Sequence, residues 1–310
     1  MENTNNVTEF ILHGLTQDRT VAKVCFLLFL LFYTTTVFGN LLIILTIRTS
    51  DLLNSPMYFF LSYLSFVDIS YSTASAPKLI HDLLVEDRTI SFVGCTAQLF
   101  CIHFFGCTEV FLLVAMAYDR CVAICKPLHY PSIVSPRVCR CLVAASGLGG
   151  FVHSLVQTLL VFQLPFCGPS NGLDHYFCDV HPLLALACAD THTVSVSNAV
   201  STGLISLGCF GGLAASYTAI LASLRTRSPK GRLKALYTCS SHITVVMLFF
   251  GPCIFIYLRP SSTFPADKVV SLFYTILTPM LNPFIYTLRN QEMKNSMKTL
   301  WSRTVRRSEE

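Results

Sequence analysis

The stretch VCFLLFLLFYTTTVFGNLLIILTI, residues 24–47, carries no charged side chain anywhere along it. A helix rises about 1.5 Å per residue, so roughly 20 apolar residues cross a bilayer core of about 30 Å. A water-soluble helix of this length would need a polar face, and this one offers only Tyr33, four threonines and Asn40. The stretch reads as a transmembrane span.

Six more runs of the same kind follow. Residues 57–76 hold one charge, Asp68, and residues 95–118 hold one, Glu109, together with His103. Residues 141–162, 193–224, 235–258 and 269–288 contain no Asp, Glu, Lys or Arg. The expected fold is an all-α membrane protein, a bundle of seven transmembrane helices. The expected layout is an extracellular amino terminus over 1–23, a receptor domain over 24–288, and a cytoplasmic amphipathic helix and tail over 289–310. Charged residues make up 13% of the chain against 53% apolar, which suits lipid better than water.

The net charge of +5 is spread in a way that argues against nucleic acid and for a membrane. Lys and Arg collect on alternate loops: Arg48, then Lys126, Arg137 and Arg140, then Arg225, Arg227, Lys230, Arg232 and Lys234, then the tail. Acidic residues such as Glu9, Asp18, Asp87, Asp174, Asp179 and Asp190 occupy the other side, so the positive-inside rule puts the amino terminus outside and the protein in the plasma membrane as a multi-pass chain. Asn6-Val7-Thr8 is an N-glycosylation acceptor consistent with that side. No basic stretch with an apolar core and cleavage site precedes the first span, which is expected to act as an uncleaved signal. After Leu288, Met293, Met297, Leu300 and Trp301 fall near one helical face with Lys294, Lys298 and Arg303 away from it, the pattern of a helix lying on anionic lipid.

Several motifs then narrow the reading. Gly39-Asn40, Ser55-Pro-Met-Tyr-Phe-Phe-Leu-Ser62 leading to Asp68, Met116-Ala-Tyr-Asp-Arg120 followed by Val122-Ala-Ile-Cys-Lys-Pro-Leu-His-Tyr130, Ser216-Tyr217, Thr238-Cys239 with Ser241-His242, and Pro279-Met-Leu-Asn-Pro-Phe-Ile-Tyr286 occur in order along nearly the whole chain. In these the sequence resembles the olfactory receptors of the class II, tetrapod-type branch, within the rhodopsin-like G-protein-coupled receptors. It departs from the family at Cys121, where Tyr usually follows Asp-Arg, at Tyr237, where Ser is usual, and at Phe250, where the sixth span commonly has Tyr.

The resemblance implies an odorant receptor that takes small neutral volatile molecules within the bundle and activates a stimulatory, olfactory-type G protein to raise cAMP. It makes Arg120 the switch, held by Asp119 at rest and released when the sixth span swings outward, with Tyr217 and Tyr286 as partners in the opened state and Asn282-Pro283 as a hinge, since a proline removes a helical hydrogen bond. It also brings Asp68 and Glu109 together near Asn40 and Asn282. Two buried carboxylates rarely both ionise, so either one is protonated or a cation such as sodium lies between them; a polar core that only packs helices is the plain alternative. No other cofactor is expected. Cys95, Cys167, Cys178 and Cys188 fall on the oxidising side and allow three connectivities; the resemblance selects Cys95 with Cys178 and Cys167 with Cys188. His175, Cys178, Asp179 and His181 have the look of a metal site, but a disulfide-bonded Cys is no thiolate ligand, and no metal is expected.

The odorant pocket is expected beneath the Cys178 loop, where spans three, five, six and seven converge. Leu99, His103, Gly106 and Cys107 share one face of the third span, and Phe250, Cys253 and Tyr257 one face of the sixth; Ser201, Thr202 and Ile205 approach from the fifth, Leu272 and Thr275 from the seventh. His103 and Tyr257 are the expected polar anchors. Ile102 stands seven residues after Cys95, where amine receptors carry an anchoring Asp, which argues against an amine ligand. Enzyme signatures such as Gly-x-Ser-x-Gly or His-Glu-x-x-His are absent, and neither inverted repeats nor rings of charge suggest a transporter or channel.

Overall fold

Asp18 starts the first long helix by accepting hydrogen bonds from the amides of Thr20, at 2.7 Å, and Val21, at 3.0 Å. From there a computed structural model describes the chain over residues 7–85, 87–167, 171–225, 228–257, 267–288 and 290–309, with the side chains of 303–309, of Tyr257 and of several residues between 230 and 238 outside the described set. A short strand, β1 (Glu9–Leu12), precedes α1 (Arg19–Arg48); α2 (Pro56–Asp82), β2 (Thr89–Ser91), α3 (Phe92–Cys125), α4 (Pro136–Phe162) and β3 (Gly172–Leu173) follow. Then come α5 (His192–Leu224), α6 (Pro229–Tyr257), α7 and α8 (Gln291–Glu309). Helix α7 has three pieces: Asp267–Leu272, a π-helical turn over Phe273–Leu277, and Thr278–Leu288.

The bundle is the expected seven-helix membrane fold. The residues of α1 that turn inward, Phe29, Thr36, Asn40, Ile43 and Ile47, recur at helical spacing, while Leu27, Leu31 and Leu45 face outward and Phe38 is 72% exposed. Apolar side chains on the outside are what lipid demands. Among the described residues, six helices are long and apolar enough to span on composition alone. The seventh, α2, falls short because it carries serines and Asp68, and these turn inward: Ser62, Ser65, Asp68, Ser72 and Ser75 are all buried. Helix α3 is the axis, packed on α2, α4, α5 and α6, while α1 lies against α2 and α7.

Most helices extend beyond the apolar runs that announce them. Helix α1 begins five residues before Val24, α2 continues to Asp82 and α6 begins at Pro229. The additional turns carry charge: Lys78 bonds Asp82 at 2.5 Å one turn on, an arrangement at home in the interfacial layer.

One end of the bundle carries a small sheet that the all-helical expectation did not include. Strand β1 is central, pairing antiparallel with β2, Phe10 opposite Ile90, and parallel with β3, Ile11 opposite Gly172. Phe10 and Leu12 point down and are fully buried, whereas Glu9 and Ile11 point out. Phe10 meets Phe166 edge to face at 5.5 Å, so the amino-terminal segment is packed onto the loops rather than trailing from them. Gly14 leaves the strand with φ of 69°, a left-handed conformation that a side chain would strain.

At the other end, α8 turns back along the bundle, burying Met293 while Trp301 stays 74% exposed. Asn290 caps it, accepting from the amides of Glu292 and Met293.

The α3–α4 contact is the tightest in the bundle. A Cβ at Gly150 would strike the Thr108 side chain and come within 2.8 Å of the Phe104 carbonyl, whereas one at Gly208 would meet nothing within 4 Å. Gly150→Val should therefore destabilise the receptor by about 1–3 kcal/mol or more through overpacking. Gly208→Ala should be neutral or mildly stabilising. Thermal melts of detergent-solubilised protein, with surface display as a second readout, check the contrast.

Candidate functional site

Between α3, α5, α6 and α7, below the sheet, lies a cavity of about 80 Å³. The third helix contributes Ile102, His103, Gly106, Cys107 and Val110; α5 gives Thr202, Ile205 and Ser206; α6 gives Phe249, Phe250 and Cys253; Tyr71 and Tyr274 come from α2 and α7. Among the described residues no Asp, Glu, Lys or Arg lines it. Of the residues expected here, the structure brings together His103, Gly106, Cys107, Thr202, Ile205, Phe250 and Cys253.

The others lie elsewhere, each for a visible reason. Leu99 is one turn too high and packs with Cys95, Cys178 and Val180 under the loop. Ser201 turns to α4, where it accepts from the Gln157 amide at 2.7 Å. Thr275 bonds the Tyr176 hydroxyl at 2.9 Å, and Leu272 packs beside the core without reaching the cavity. The side chain of Tyr257 is outside the described residues, as is Asn6. Tyr71, Val110, Ser206, Phe249 and Tyr274 were not foreseen as lining. The available signal was Gly106: a Cβ there would be in van der Waals contact with the Tyr71 hydroxyl at 3.4 Å, so any longer side chain would compete with Tyr71 for the space.

The roof is the loop between α4 and α5. Cys95 is bonded to Cys178 with Cα atoms 5.5 Å apart, and Cys167 to Cys188 at 5.7 Å, the pairing that the resemblance implies. Gln98 fixes the loop further: its carbonyl accepts from the Cys178 amide at 2.9 Å and its own amide donates to the Ala74 carbonyl. Tyr176 and Phe177 descend into the bundle and are 1% exposed each. Around them, burial lowers His175 to about 4, so it is neutral at pH 7. Burial would raise Asp179, but His103, His175 and His181 outweigh it and hold the carboxyl at about 2. On the surface, a 2.5 Å hydrogen bond from Lys268 keeps Asp174 below the usual carboxylate range. No cluster of His, Cys, Asp and Glu arranged to hold a metal occurs among the described residues.

Beneath the cavity the two intramembrane acids are fully buried. Asn282 donates to Asp68 at 2.8 Å, and Asp68 lies within electrostatic reach of Glu109. Both Glu109 oxygens and one Asp68 oxygen have no hydrogen-bond partner among the described residues. Asn40 donates to the Pro279 carbonyl at 3.1 Å rather than to either acid.

At the far end of α3, Arg120 is closed on its neighbour, donating to Asp119 through Nε at 2.9 Å and a terminal nitrogen at 2.5 Å. The other Asp119 oxygen accepts from the Tyr130 hydroxyl at 2.6 Å. Tyr217 is hydrogen-bonded to His242, joining α5 to α6, and the Tyr286 hydroxyl is buried without a partner among the described residues. Cys121 faces Cys125, their sulfurs 3.9 Å apart, in an apolar patch with Ile220, Leu224 and Cys239.

A seven-helix bundle with a roofed apolar cavity near one end and a closed Asp-Arg pair at the other has the architecture of a G-protein-coupled receptor, not of an enzyme. The chain matches the olfactory receptor family over residues 29–304. It is 60% identical over 305 residues to olfactory receptor 4S2 of Homo sapiens, covering 98% of each chain. It is 58% identical to olfactory receptor 4B1 of Homo sapiens, with 98% of each covered, and 58% identical to olfactory receptor 4B13 of Mus musculus, with 97% and 98% covered. The chain belongs to the olfactory receptor family, as a multi-pass plasma-membrane receptor for odorants that couples to G proteins.

Tyr130 is the partner of the Arg120 lock that motif reading left unassigned. Tyr130→Phe removes one hydrogen bond to the buried Asp119 carboxylate, a charged acceptor for which such bonds contribute about 1.5–3 kcal/mol. Basal signalling should rise without agonist at equal surface display, measured against wild type.

Proposed function

We propose that the cavity binds a small, neutral, volatile molecule and that its occupation is passed to Arg120, which engages a stimulatory, olfactory-type G protein and raises cAMP. The observation that carries the reading is the lining: mostly apolar side chains, a few hydroxyl and imidazole groups and no fixed charge, the composition expected of a site for uncharged ligands. The loop roof separates this space from water, so a ligand partitions into it from an apolar or dilute phase. In the same reading the basic loops and tail, at the Arg120 end, face the cytoplasm and the sheet end faces outward, where Asn6 would be glycosylated.

Between the two ends, Asp68 and Glu109 form a polar joint. Their unpartnered oxygens, with those of Asn40 and Asn282, fit a shared proton or a sodium ion. Asp68→Asn and Glu109→Gln should each shift basal activity or its sodium dependence. Unchanged basal signalling, potency and expression in both variants would leave the acids with a packing role alone.

The reading as a whole is tested with an odorant panel and a cAMP reporter in transfected cells. His103→Ala should cost about 0.5–1.5 kcal/mol, roughly two- to tenfold in potency, and Gly106→Leu should fill the space and abolish the response. Arg120→Ala should leave ligand binding intact and eliminate cAMP. Wild-type potency in displayed His103→Ala and Gly106→Leu receptors would place the ligand elsewhere.

A further inference from the structure

The roof and the cavity meet at one pair of side chains. Nε2 of His103 lies 3.9 Å from Oδ1 of Asp179, with both side chains at least nine-tenths buried. That nitrogen has no hydrogen-bond partner among the described residues, and the Asp179 carboxylate is the acceptor that faces it. Asp179 is itself held in place, its Oδ1 accepting from the Val180 amide at 2.8 Å and its backbone following the Cys178 disulfide. The carboxyl is ionised at neutral pH, held at about 2 by the surrounding histidines against its burial. A carboxylate has no proton to donate, so in a neutral ring its field favours the tautomer with the proton on Nε2, the nitrogen that faces it.

The tautomer of a neutral imidazole is set by the bond that one nitrogen makes, which leaves the other with the opposite character. With Nε2 protonated toward Asp179, Nδ1 is an acceptor. No hydrogen bond from protein occupies Nδ1 among the described residues, and the His103 ring lines the cavity. Across the space, α5 presents the hydroxyl of Ser206, which can donate to a ligand oxygen, and that of Thr202, which would exchange its long 3.5 Å bond to Oδ1 of Asn198 for one to the ligand.

We propose that Asp179 is a positioning residue that fixes His103 with Nδ1 as a hydrogen-bond acceptor, so that this receptor selects odorants carrying a hydroxyl group over isosteres that can only accept. The inference rests on the cavity being the odorant site. An alcohol or phenol donates to His103 and accepts from Thr202 or Ser206. A methyl ether of the same skeleton leaves the Nδ1 lone pair without a proton, and a buried unpaired acceptor is costly.

The test is a panel of small straight-chain, terpenoid and phenolic alcohols, each beside its methyl ether, read by cAMP with surface display measured in parallel. Wild type should prefer the alcohol of a pair by about two- to tenfold, the effect of one neutral hydrogen bond. In Asp179→Asn the amide can turn its NH₂ group to Nε2, leaving the proton on Nδ1, so the preference should vanish or invert. Asp179→Glu keeps the carboxylate and should keep the preference even where potency falls. Asp174→Asn, in the same loop but on the surface, should leave the ratio unchanged. If Asp179→Asn does not reach the surface, His103→Phe reads the same ratio and should lose it. A displayed wild type that answers ethers as well as their alcohols, or answers no alcohol, overturns the inference. So does an Asp179→Asn or His103→Phe receptor that weakens both members of each pair alike. Gly106→Leu separates the two levels: if responses to the panel survive it, the cavity is not the odorant site, whereas their loss together with an unaltered ratio in Asp179→Asn rejects only the role of Asp179.

Discussion

Every backbone carbonyl inside a bilayer needs a donor, and the carbonyl four residues before a helical proline cannot get it from its own helix. Pro283 has no N–H to return to the carbonyl of Pro279 four residues before it. Asn40 supplies the missing donor from α1 at 3.1 Å. The approach is possible because Gly39 has no side chain: a Cβ there would come within 3.0 Å of the Pro283 ring. From the neighbouring position, Asn282 donates to Asp68 of α2. One proline thus fastens three helices, α1, α2 and α7, through buried polar contacts that have no water to compete with them. Among the described residues α6 has nothing equivalent. Its Pro252 lies in an apolar stretch, and the polar contact to α5 between Tyr217 and His242 is placed near the Arg120 end. The clamp takes in α1, α2 and α7 and leaves α6 outside it.

The opposite end is held by different physics, because water is present there and the backbone can be satisfied by strands. Strand β1 takes hydrogen bonds on both edges, and its alternation buries Phe10 and Leu12 while exposing Glu9 and Ile11. The two disulfides and the Gln98 side chain add constraints that do not depend on burial. Tyr176 is anchored from below by Ser271 and Thr275 of α7. The roof is therefore part of the helical core, and the shape of the cavity depends on the loop as much as on the helices.

How much of this could be read from sequence follows from what each signal reports. Apolar runs located all seven spans, including α2, whose weaker apolarity reflects serines turned inward. The motif at Asp119-Arg120 located the closed ion pair at the end of α3, and the resemblance implied the cysteine pairing that is present. Helical spacing placed seven of the twelve expected lining residues on the cavity; Tyr257 lies outside the described residues, Leu99 misses by height and Ser201 by rotation. Ser201 and Thr202 differ by one residue, about 100° of helix, and only Thr202 faces the cavity while Ser201 faces Gln157. A single sequence does not fix that angle, because in lipid the outward and inward faces are both apolar. The strand at Glu9–Leu12 escaped notice because four residues are too short for periodicity to register. Tyr130 and Asp179 act through contacts between segments distant in the chain, or between loop and helix, and no local pattern announces them.

These parts join along one face of α3. Val110 lines the cavity and Glu109 precedes it, so any rotation or shift of that turn moves a ligand contact and a buried acid together. Cys253 of α6 lines the cavity and also lies within electrostatic reach of Glu109. Glu109 in turn feels Asp68, which is bonded to Asn282 beside the hinge at Pro283. The oxygens of Glu109 make no hydrogen bond among the described residues, and a buried polar group without a partner is the costliest element of the core. That cost makes the joint responsive: a proton, an ion or a small helix shift that supplies a partner changes the energy of the bundle by more than an apolar contact could. A neutral odorant brings little free energy of its own. In the function proposed above, an unsatisfied pair between the cavity and the Asp119-Arg120 pair is where a modest push would favour a second arrangement of the same helices.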